Sequence, residues 1–138
     1  MVINESLRLS TKGNGHILDI TDEIRRKVRS SDVKQGIVTL FSPSSTSALT
    51  TIEYESGAVH DLQSLFDRII PSDAEYRHNL RWGDGNGHSH VRHALLGASL
   101  TIPVVDGQLT LGTWQQIVFV DFDVRARSRS LVVQILGE

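Results

Sequence analysis

A short segment of the chain concentrates side chains that bind metals and exchange protons. Four of the six histidines lie in it, at His78, His88, His90 and His93. The stretch from Gly83 to Gly87 separates the first two of them and alternates glycine with polar residues. Glycine loses more conformational freedom on folding than any other residue, so such a loop is costly to order. This composition favours a loop that wraps a ligand or an ion over a simple connection.

The histidines predict a metal site with His78, His88 and His90 as its ligands. Three imidazoles with an open fourth position allow a divalent ion to polarise water or a carbonyl group. Zinc suits imidazole ligands best, and magnesium is the alternative for a site that acts on phosphates. The histidines can instead hydrogen-bond the glycine-rich loop or contact an anionic substrate without a metal, and their residue types do not distinguish these arrangements.

The spacing of the histidines is compatible with two local geometries. His88 and His90 are two residues apart, so their side chains point the same way in an extended chain. His90 and His93 are three residues apart, which places them on one side of a helix. The two arrangements exclude each other, so at most one of these pairs acts together.

Carboxylates near the histidines are candidates for moving protons or for orienting an imidazole. Asp84 is preferred because it lies in the glycine-rich loop, and Glu53 is the second candidate catalytic residue, ahead of Glu55 and Asp61. Hydroxyl and backbone N–H groups of the loop around 42–47 are suited to contact a phosphate. The candidate substrate contacts come from three polar segments: Ser45, Thr46, Ser47, Asn86, Thr113 and Gln115.

The composition excludes several kinds of site and partner. The chain has no cysteine, so it has no disulfide, thiolate zinc site or cysteine nucleophile. Its net charge of −2 supplies no overall field that would attract nucleic acid or an anionic membrane. The N-terminal residues do not form a secretory signal, and no apolar run is long enough to span a bilayer. We therefore expect a cytoplasmic protein with no nucleic-acid or membrane partner.

The length of 138 residues fits one domain, residues 1–138, with its own hydrophobic core. The periodicity of apolar residues predicts elements in the order ββα-ββ-αα-ββββ, which indicates an α+β fold with mostly antiparallel pairing. Strands are expected at 2–10, 16–20, 36–41, 49–55, 99–104, 108–111, 114–122 and 130–136. Helices are expected at 21–29, 58–70 and 89–96.

Local signals refine these predictions. Thr21 is expected to be the N-cap of the first helix, and Gly97 is expected to end the third. The pair Asp106-Gly107 predicts a tight hairpin. Arg125–Arg129 is interpreted as the loop before the last strand. Five apolar residues at helical spacing are expected to form the buried stripe of the second helix: Val59, Leu62, Leu65, Phe66 and Ile69.

The sequence resembles the YjbQ-like family of small uncharacterised proteins. The resemblance is carried by Ser99–Ile117, which includes the specific Gly-Thr-Trp-Gln motif, and by Arg81–His90 and Leu95–Gly97. It also includes Thr46–Glu53 and Val133–Glu138, so it covers essentially the whole chain.

This resemblance implies a β-sandwich of mostly antiparallel strands with two main helices, assembled as a homotrimer. It also implies a thiamine phosphate synthase activity, which joins a pyrimidine diphosphate to a thiazole phosphate. The family's histidine positions correspond to His78 and His90, and His88 is shared by members with the Gly-Asn-Gly-His motif. Many members have a histidine where this chain has Ser45, so any mechanism that uses that imidazole is lost here. His93 lies at a position that is usually small.

Two functions follow as hypotheses. The first is a metal-dependent enzyme that acts on small phosphorylated heterocycles, of the thiamine phosphate synthase type. The second is a non-catalytic homotrimer that binds a small anionic metabolite, with the histidines as ligand contacts. Both hypotheses place a small phosphorylated or anionic metabolite at the histidines, and a bound divalent metal distinguishes the first from the second.

Overall fold

Eight strands and four helices are present in the computed structural model, which describes residues 1–138. The strands are β1 (Val2–Thr11), β2 (His16–Asp19), β3 (Gln35–Phe41), β4 (Ser47–Ile52), β5 (Ser99–Val105), β6 (Gln108–Leu109), β7 (Gln116–Asp121) and β8 (Arg127–Gly137). The helices are α1 (Thr21–Ser30), α2 (Ser56–Ile69), α3 (Arg77–Trp82) and α4 (Gly87–Leu96). The predicted α+β class and element order are confirmed, with α3 as one additional helix.

The strands form two sheets. One has five strands in the order β1-β8-β3-β5-β6, and the other has three in the order β2-β7-β4. All strand pairs are antiparallel. The first and last strands are neighbours, with Val2 opposite Leu136. Asp106 and Gly107, at φ 51° and 74°, form the predicted two-residue turn between β5 and β6.

The inner faces of the two sheets meet in the main core. Leu131, Val133 and Ile135 of β8 point into this core and are almost fully buried, whereas the residues between them face outwards. This alternation is the expected pattern for a strand with one buried face. Helix α1 adds Ile24 and Val28 to the same cluster.

The three-stranded sheet is covered on both of its faces. Its central strand β7 places Ile117 and Phe119 in the main core, while Val118 on the opposite face belongs to a second cluster with Phe66 of α2. Burial on both faces explains the unbroken apolar run from Ile117 to Val120. The result is three layers, namely the five-stranded sheet, the three-stranded sheet and a layer that contains α2.

Helix α2 is less buried than its sequence predicts. Of the five apolar residues at helical spacing, only Phe66 is fully buried, and Leu65 and Ile69 are exposed. The prediction that Leu65 and Ile69 belong to the core was therefore wrong. The helix lies against a sheet only three strands wide, so the protein covers only part of its apolar side. None of the four helices has the length and apolar composition that a membrane crossing requires.

The predicted strand at 49–55 ends early. Strand β4 stops at Ile52, so Glu53 and Glu55 lie outside it. The Glu55 carboxylate instead caps α2 by accepting hydrogen bonds from the N–H groups of Gly57 and Ala58. These hydrogen bonds lower the pKa of Glu55, and the one from Gly57 has the larger effect. The ionised carboxylate also stabilises the positive end of the helix.

Helix α1 also begins differently from the prediction. Thr21 is its first helical residue, and Ile20 occupies the N-cap position. The N–H and hydroxyl groups of Thr21 donate to Oδ1 of Asp19, at 2.9 and 2.6 Å. Asp19 therefore holds the start of the helix from two residues upstream.

A buried ion pair joins the two sheets. Asp121, at the end of β7, is fully buried and accepts hydrogen bonds from Nε and Nη2 of Arg129, at 2.8 and 2.9 Å. The hydroxyl of Thr11 in β1 donates to the same carboxylate at 2.7 Å. The hydrogen bonds to Asp121 raise the pKa of Arg129. The interpretation of Arg125–Arg129 as a loop was wrong, because β8 begins at Arg127 and includes Arg129.

We expect Arg129→Met to lower the free energy of unfolding by about 3–5 kcal/mol, because it leaves the Asp121 carboxylate buried without its cation. Urea denaturation followed by circular dichroism at pH 7 measures this loss. Arg25 and Asp22 form an exposed pair at 3.3 Å, so Arg25→Met is the matched control and should cost less than about 1 kcal/mol. Equal losses in the two variants would contradict a structural role for the buried pair.

Candidate functional site

The glycine-rich loop connects two helices that pack against each other. Gly83 and Gly85 have left-handed φ values of 64° and 70°, which explains the preference for glycine there. Gly87 is required for a different reason, since a Cβ at this position would lie 2.4 Å from Cβ of Tyr76. The Gly87 N–H donates to Oδ1 of Asn79 at 2.9 Å. These contacts bring the beginning of α3 beside α4.

This helix pair brings together His78 of α3, His90 of α4 and Asp84 of the loop. The rings of His78 and His90 have centroids 4.3 Å apart, and Nε2 of His78 lies 3.2 Å from Oδ2 of Asp84. One ligand atom from each of the three residues lies within 4.8 Å of the others. A divalent ion can be held by such a set, with two nitrogen ligands and one oxygen ligand.

Asp84 is fixed by hydrogen bonds on both of its oxygens. Oδ1 accepts from the N–H of Asn86 at 3.0 Å, and Oδ2 contacts His78. The pKa of Asp84 is lowered mainly by the hydrogen bond from the Asn86 N–H and, to a smaller extent, by the hydrogen bond with His78. The carboxylate is therefore ionised at neutral pH, which suits an ion ligand better than a proton donor.

His88 does not join this cluster. Because α4 begins at Gly87, His88 and His90 lie on a helix, where residues two apart point in different directions. Of the two local geometries compatible with the spacing, the extended one is therefore excluded, and the predicted ligand His88 lies outside the cluster. His88 is buried near Tyr76, with ring centroids 6.3 Å apart, and its Nδ1 has no hydrogen-bond partner. Burial lowers the pKa of His88, which favours the neutral imidazole.

His93 is also held away from the cluster. Its Nδ1 lies 2.5 Å from the carbonyl oxygen of Ser47. Ser47 itself is fully buried, and its hydroxyl lies 2.7 Å from that of Ser42. Ser47, expected as a substrate contact, therefore lies inside the protein beside the strand that begins at this residue.

An open polar cleft of about 450 Å³ lies beside the cluster and includes Asp84, Asn86 and His90 in its wall. Its other walls come from the loop before β4 and from the beginning of β8: Pro43, Ser44, Ser45, Thr46, Asp123, Arg127 and Arg129. The structure thus brings the predicted residues Ser45, Thr46 and Asn86 to the same cleft as two members of the His78–Asp84–His90 cluster.

The cationic side of the cleft was missed by sequence reasoning. Arg129 donates from Nη2 to the hydroxyl of Thr46 at 2.8 Å, and Nη2 of Arg127 lies 3.2 Å from Oδ2 of Asp123. The signal was present, because arginines at 125, 127 and 129 have the two-residue period of a strand. This period was overlooked when the segment was interpreted as a loop.

Asp123 organises this side of the cleft. Burial alone would raise the pKa of Asp123, but the N–H of Arg125, the Arg127 guanidinium and the Thr46 hydroxyl together lower it. The N–H of Arg125 donates to Oδ1 at 3.0 Å, and the Thr46 hydroxyl donates to Oδ2 at 3.1 Å. The carboxylate therefore connects the loop before β4, through Thr46, to the beginning of β8, through Arg127.

The remaining predicted site residues lie elsewhere on the chain. Glu53 and Thr113 line a different groove, together with the exposed Trp114. The amide of Gln115 donates to the hydroxyl of Thr51 at 3.0 Å. Gln115 lines a third groove. None of these residues lines the cleft that contains His90 in the same chain, so the predicted site is divided among separate surfaces.

We expect Asp123→Asn to lower the free energy of unfolding at pH 7 by about 1–2 kcal/mol, because hydrogen bonds to a charged group are lost. The folded-state pKa is below the unfolded value, so this stabilisation is present above about pH 4 and disappears as the pH falls further. Urea denaturation between pH 7 and pH 3 should therefore show the variant and the wild type converging in acid. The exposed Asp22→Asn serves as the control, and a difference that does not vary with pH would contradict the ionic role.

Comparison with known proteins identifies the family. The model of the family described as UPF0047 protein YjbQ-like matches residues 5–138. A UPF0047 protein from Methanothermobacter thermautotrophicus is 39% identical over 137 residues, covering 99% of this chain and 94% of that protein. A UPF0047 protein from Archaeoglobus fulgidus is 38% identical over 130 residues, covering 94% of this chain and 98% of that protein.

Solved structures agree with this assignment. The crystal structure of a YbjQ-like protein of unknown function from Sulfolobus solfataricus P2 has a TM-score of 0.95 and 34% identity, covering 100% of this chain and 99% of that one. That of a hypothetical protein from Aeropyrum pernix K1 has a TM-score of 0.92 and 30% identity, covering 99% of both chains. The chain belongs to the YjbQ-like UPF0047 family.

Proposed function

We propose that the cleft is a metal-dependent active site for small phosphorylated heterocycles, with His78, Asp84 and His90 as the metal ligands. The observation that carries this proposal is the convergence of their ligand atoms within 4.8 Å. Two imidazoles and one carboxylate favour zinc over magnesium, which prefers oxygen ligands. Bound there, the ion would act as a Lewis acid that neutralises charge on phosphate oxygens.

The chain's own cationic groups support a phosphorylated substrate. Arg127 and Arg129 lie in the wall of the same cleft, opposite the donor set from α3 and α4. Guanidinium groups match phosphate oxygens through paired hydrogen bonds. Arg129 is already committed to Asp121 and Thr46. Arg127 pairs only with Asp123 and is more exposed, so it is the group we expect to reach the substrate with its remaining N–H donors. The hydroxyl of Ser45 provides a further hydrogen bond, in the position where many family members have histidine.

The reaction we propose is of the thiamine phosphate synthase type. The ring nitrogen of a thiazole phosphate attacks the methylene carbon of a pyrimidine diphosphate, and the new C–N bond forms as the C–O bond to pyrophosphate breaks. The pyrophosphate leaves with the bonding electron pair, so the protein must stabilise negative charge on the leaving oxygen. In this proposal Arg127 and Ser45 bind the leaving group, and Asp84 orients His78.

The proposed roles differ from the catalytic pair expected from the sequence. Ring alkylation at nitrogen requires no general base, so Asp84 acts as a ligand and orienting group. Glu53 has no role in the cleft of its own chain, because it lines the groove beside Trp114.

We expect the protein to bind one Zn²⁺ per chain, with affinity reduced at least about tenfold in His78→Ala and His90→Ala, since each loses a direct ligand. Isothermal titration calorimetry and elemental analysis after dialysis measure this binding. His60 of α2 is exposed and does not line the cleft, so His60→Ala is the matched control. Unchanged zinc affinity in both cleft variants would contradict the metal site.

The catalytic part of the proposal has its own test. Zinc-loaded protein given the pyrimidine diphosphate and the thiazole phosphate should form thiamine phosphate, and His90→Ala should not. Formation of the product is followed by chromatography with fluorescence detection after oxidation to the thiochrome. No product above the His90→Ala background would refute the synthase reaction while leaving the metal site intact.

A second function is a non-catalytic protein that binds a small anionic metabolite. The specific observation in its favour is that Nε2 of His78 lies at hydrogen-bonding distance, 3.2 Å, from Oδ2 of Asp84, so each group can serve as the other's partner. In this case pyrophosphate should bind equally well with and without a chelator, and the loss of Arg127 should weaken it more than the loss of either histidine.

We also propose that the chain assembles as a homotrimer. The outer face of the five-stranded sheet supports this, because Val2, Leu136 and Ile37 lie side by side across three strands and are all exposed. Phe41 and Val132 form a second exposed apolar pair on the same face. Exposed apolar surface of this kind is typical of protein interfaces.

We expect light scattering after gel filtration to give the mass of a trimer for the wild type and a smaller mass for Ile37→Lys, because a charge in the apolar row opposes burial. Leu65→Lys, on the exposed side of α2, is the control and should remain trimeric. A monomeric wild type at the same concentration would refute the assembly.

A further inference from the structure

A second cavity, of about 220 Å³, lies between α2 and the three-stranded sheet. It shares no lining residue with the cleft that contains His90. Arg92 of α4 reaches this cavity, and residues two apart on a helix point in different directions. Helix α4 therefore presents His90 to one cavity and Arg92 to the other. We refer to the second cavity as the Arg92 pocket, and the function proposed above makes no use of it.

The guanidinium of Arg92 is a buried cation with an incomplete set of partners. The residue is 5% exposed, and its guanidinium carbon lies 5.8 Å from the ring centroids of both Phe66 and Phe122. Its Nε and Nη2 donate to the carbonyl of Ile70 at 3.0 and 2.8 Å, and Nη2 also donates to Asp67 at 3.2 Å. The third nitrogen, Nη1, donates to no group of the protein.

Nη1 is not fully occluded, and Arg92 lines the cavity. Arginine carries five N–H donors, and buried donors are nearly always satisfied. The one fully occluded side-chain atom without a partner is Nδ1 of His88, so Nη1 of Arg92 retains some exposed surface. The amide of Gln63 adds a second polar group, because its nitrogen donates to the Gly15 carbonyl at 3.1 Å and its oxygen has no partner.

The rest of the wall is small and mixed, since Asn14, Gly15 and Asp67 line it together with apolar side chains. Four hydrophobic side chains line the cavity: Ile17, Phe66, Val120 and Phe122. Pockets for drug-sized ligands measure about 300–1,000 Å³, so this one suits a smaller molecule. A guanidinium edge favours a carboxylate acceptor. We propose that the Arg92 pocket binds a small carboxylic acid with a compact apolar body, whose carboxylate accepts from Nη1 while the body lies against the two phenylalanine rings.

Asp67 sets the charge at the mouth of the pocket. Its side chain is 74% exposed and pairs with Arg92. The exposed carboxylate opposes the guanidinium, which limits the affinity of the pocket for an anion. Removing the charge of Asp67 should therefore strengthen the binding of a carboxylate.

The test uses benzoate as the probe and benzamide as its neutral analogue, with the folded full-length chain followed by ¹H–¹⁵N NMR. Benzoate should cause saturable shifts at the amides of Gln63, Phe66 and Val120, and benzamide should cause much weaker ones. We expect Asp67→Asn to lower the benzoate dissociation constant about twofold to fivefold. Arg92→Lys should raise it at least about tenfold, because a lysine cannot hold the Ile70 carbonyl with a planar fork and also present a donor at the position of Nη1.

Asp61→Asn provides the matched control. Asp61 lies on the same helix, is exposed and contacts only His60, so this variant changes the net charge equally and should leave benzoate affinity unchanged. If Arg92→Lys does not fold, the difference in benzoate affinity between Asp67→Asn and Asp61→Asn tests the proposal. Absence of saturable benzoate shifts, or equal responses of the two aspartate variants, would overturn the proposal.

Discussion

The ion pair between Asp121 and Arg129 connects the core of this protein to its cleft. Asp121 ends the central strand of one sheet and Arg129 lies in the other sheet, so the pair fixes how the two sheets meet. The same guanidinium donates to the hydroxyl of Thr46, which in turn donates to Asp123. The packing of the sheets and the shape of the cleft wall therefore depend on one set of hydrogen bonds, and a rearrangement of either alters the other.

Helix α4 connects that wall to the opposite side of the molecule. Its residue His90 contributes to the cluster with His78, while Ser89 donates to the carbonyl of Phe122 at 2.6 Å and anchors the helix to the sheet layer. Arg92 continues this buried side by capping the end of α2 at Ile70. A single short helix thus contributes to two cavities of different chemistry, with His90 beside His78 and Asp84 at one and the Arg92 guanidinium beside two phenylalanine rings at the other.

Strand alternation and turn residues made most of the fold predictable, because one buried face imposes a period that is visible in the sequence. Helix α3 was missed, since its six residues carry no side-chain cap and none of them is buried. His88 was grouped with His90 because residues two apart share a face in an extended chain. Helix α4 begins at Gly87 and contains both residues, so they point in different directions. The role of Arg129 depends on a contact between two sheets, which periodicity within one strand does not reveal.

Strand β1 pairs only with β8, and β8 lies between β1 and β3. The N-terminal strand therefore remains without a partner during synthesis until the segment 127–137 has left the ribosome. Contacts of such large sequence separation slow folding and leave strand edges open to other chains in the meantime. Because β8 lies between β1 and β3, the five-stranded sheet is completed late in folding. The Asp121–Arg129 pair forms at the same stage.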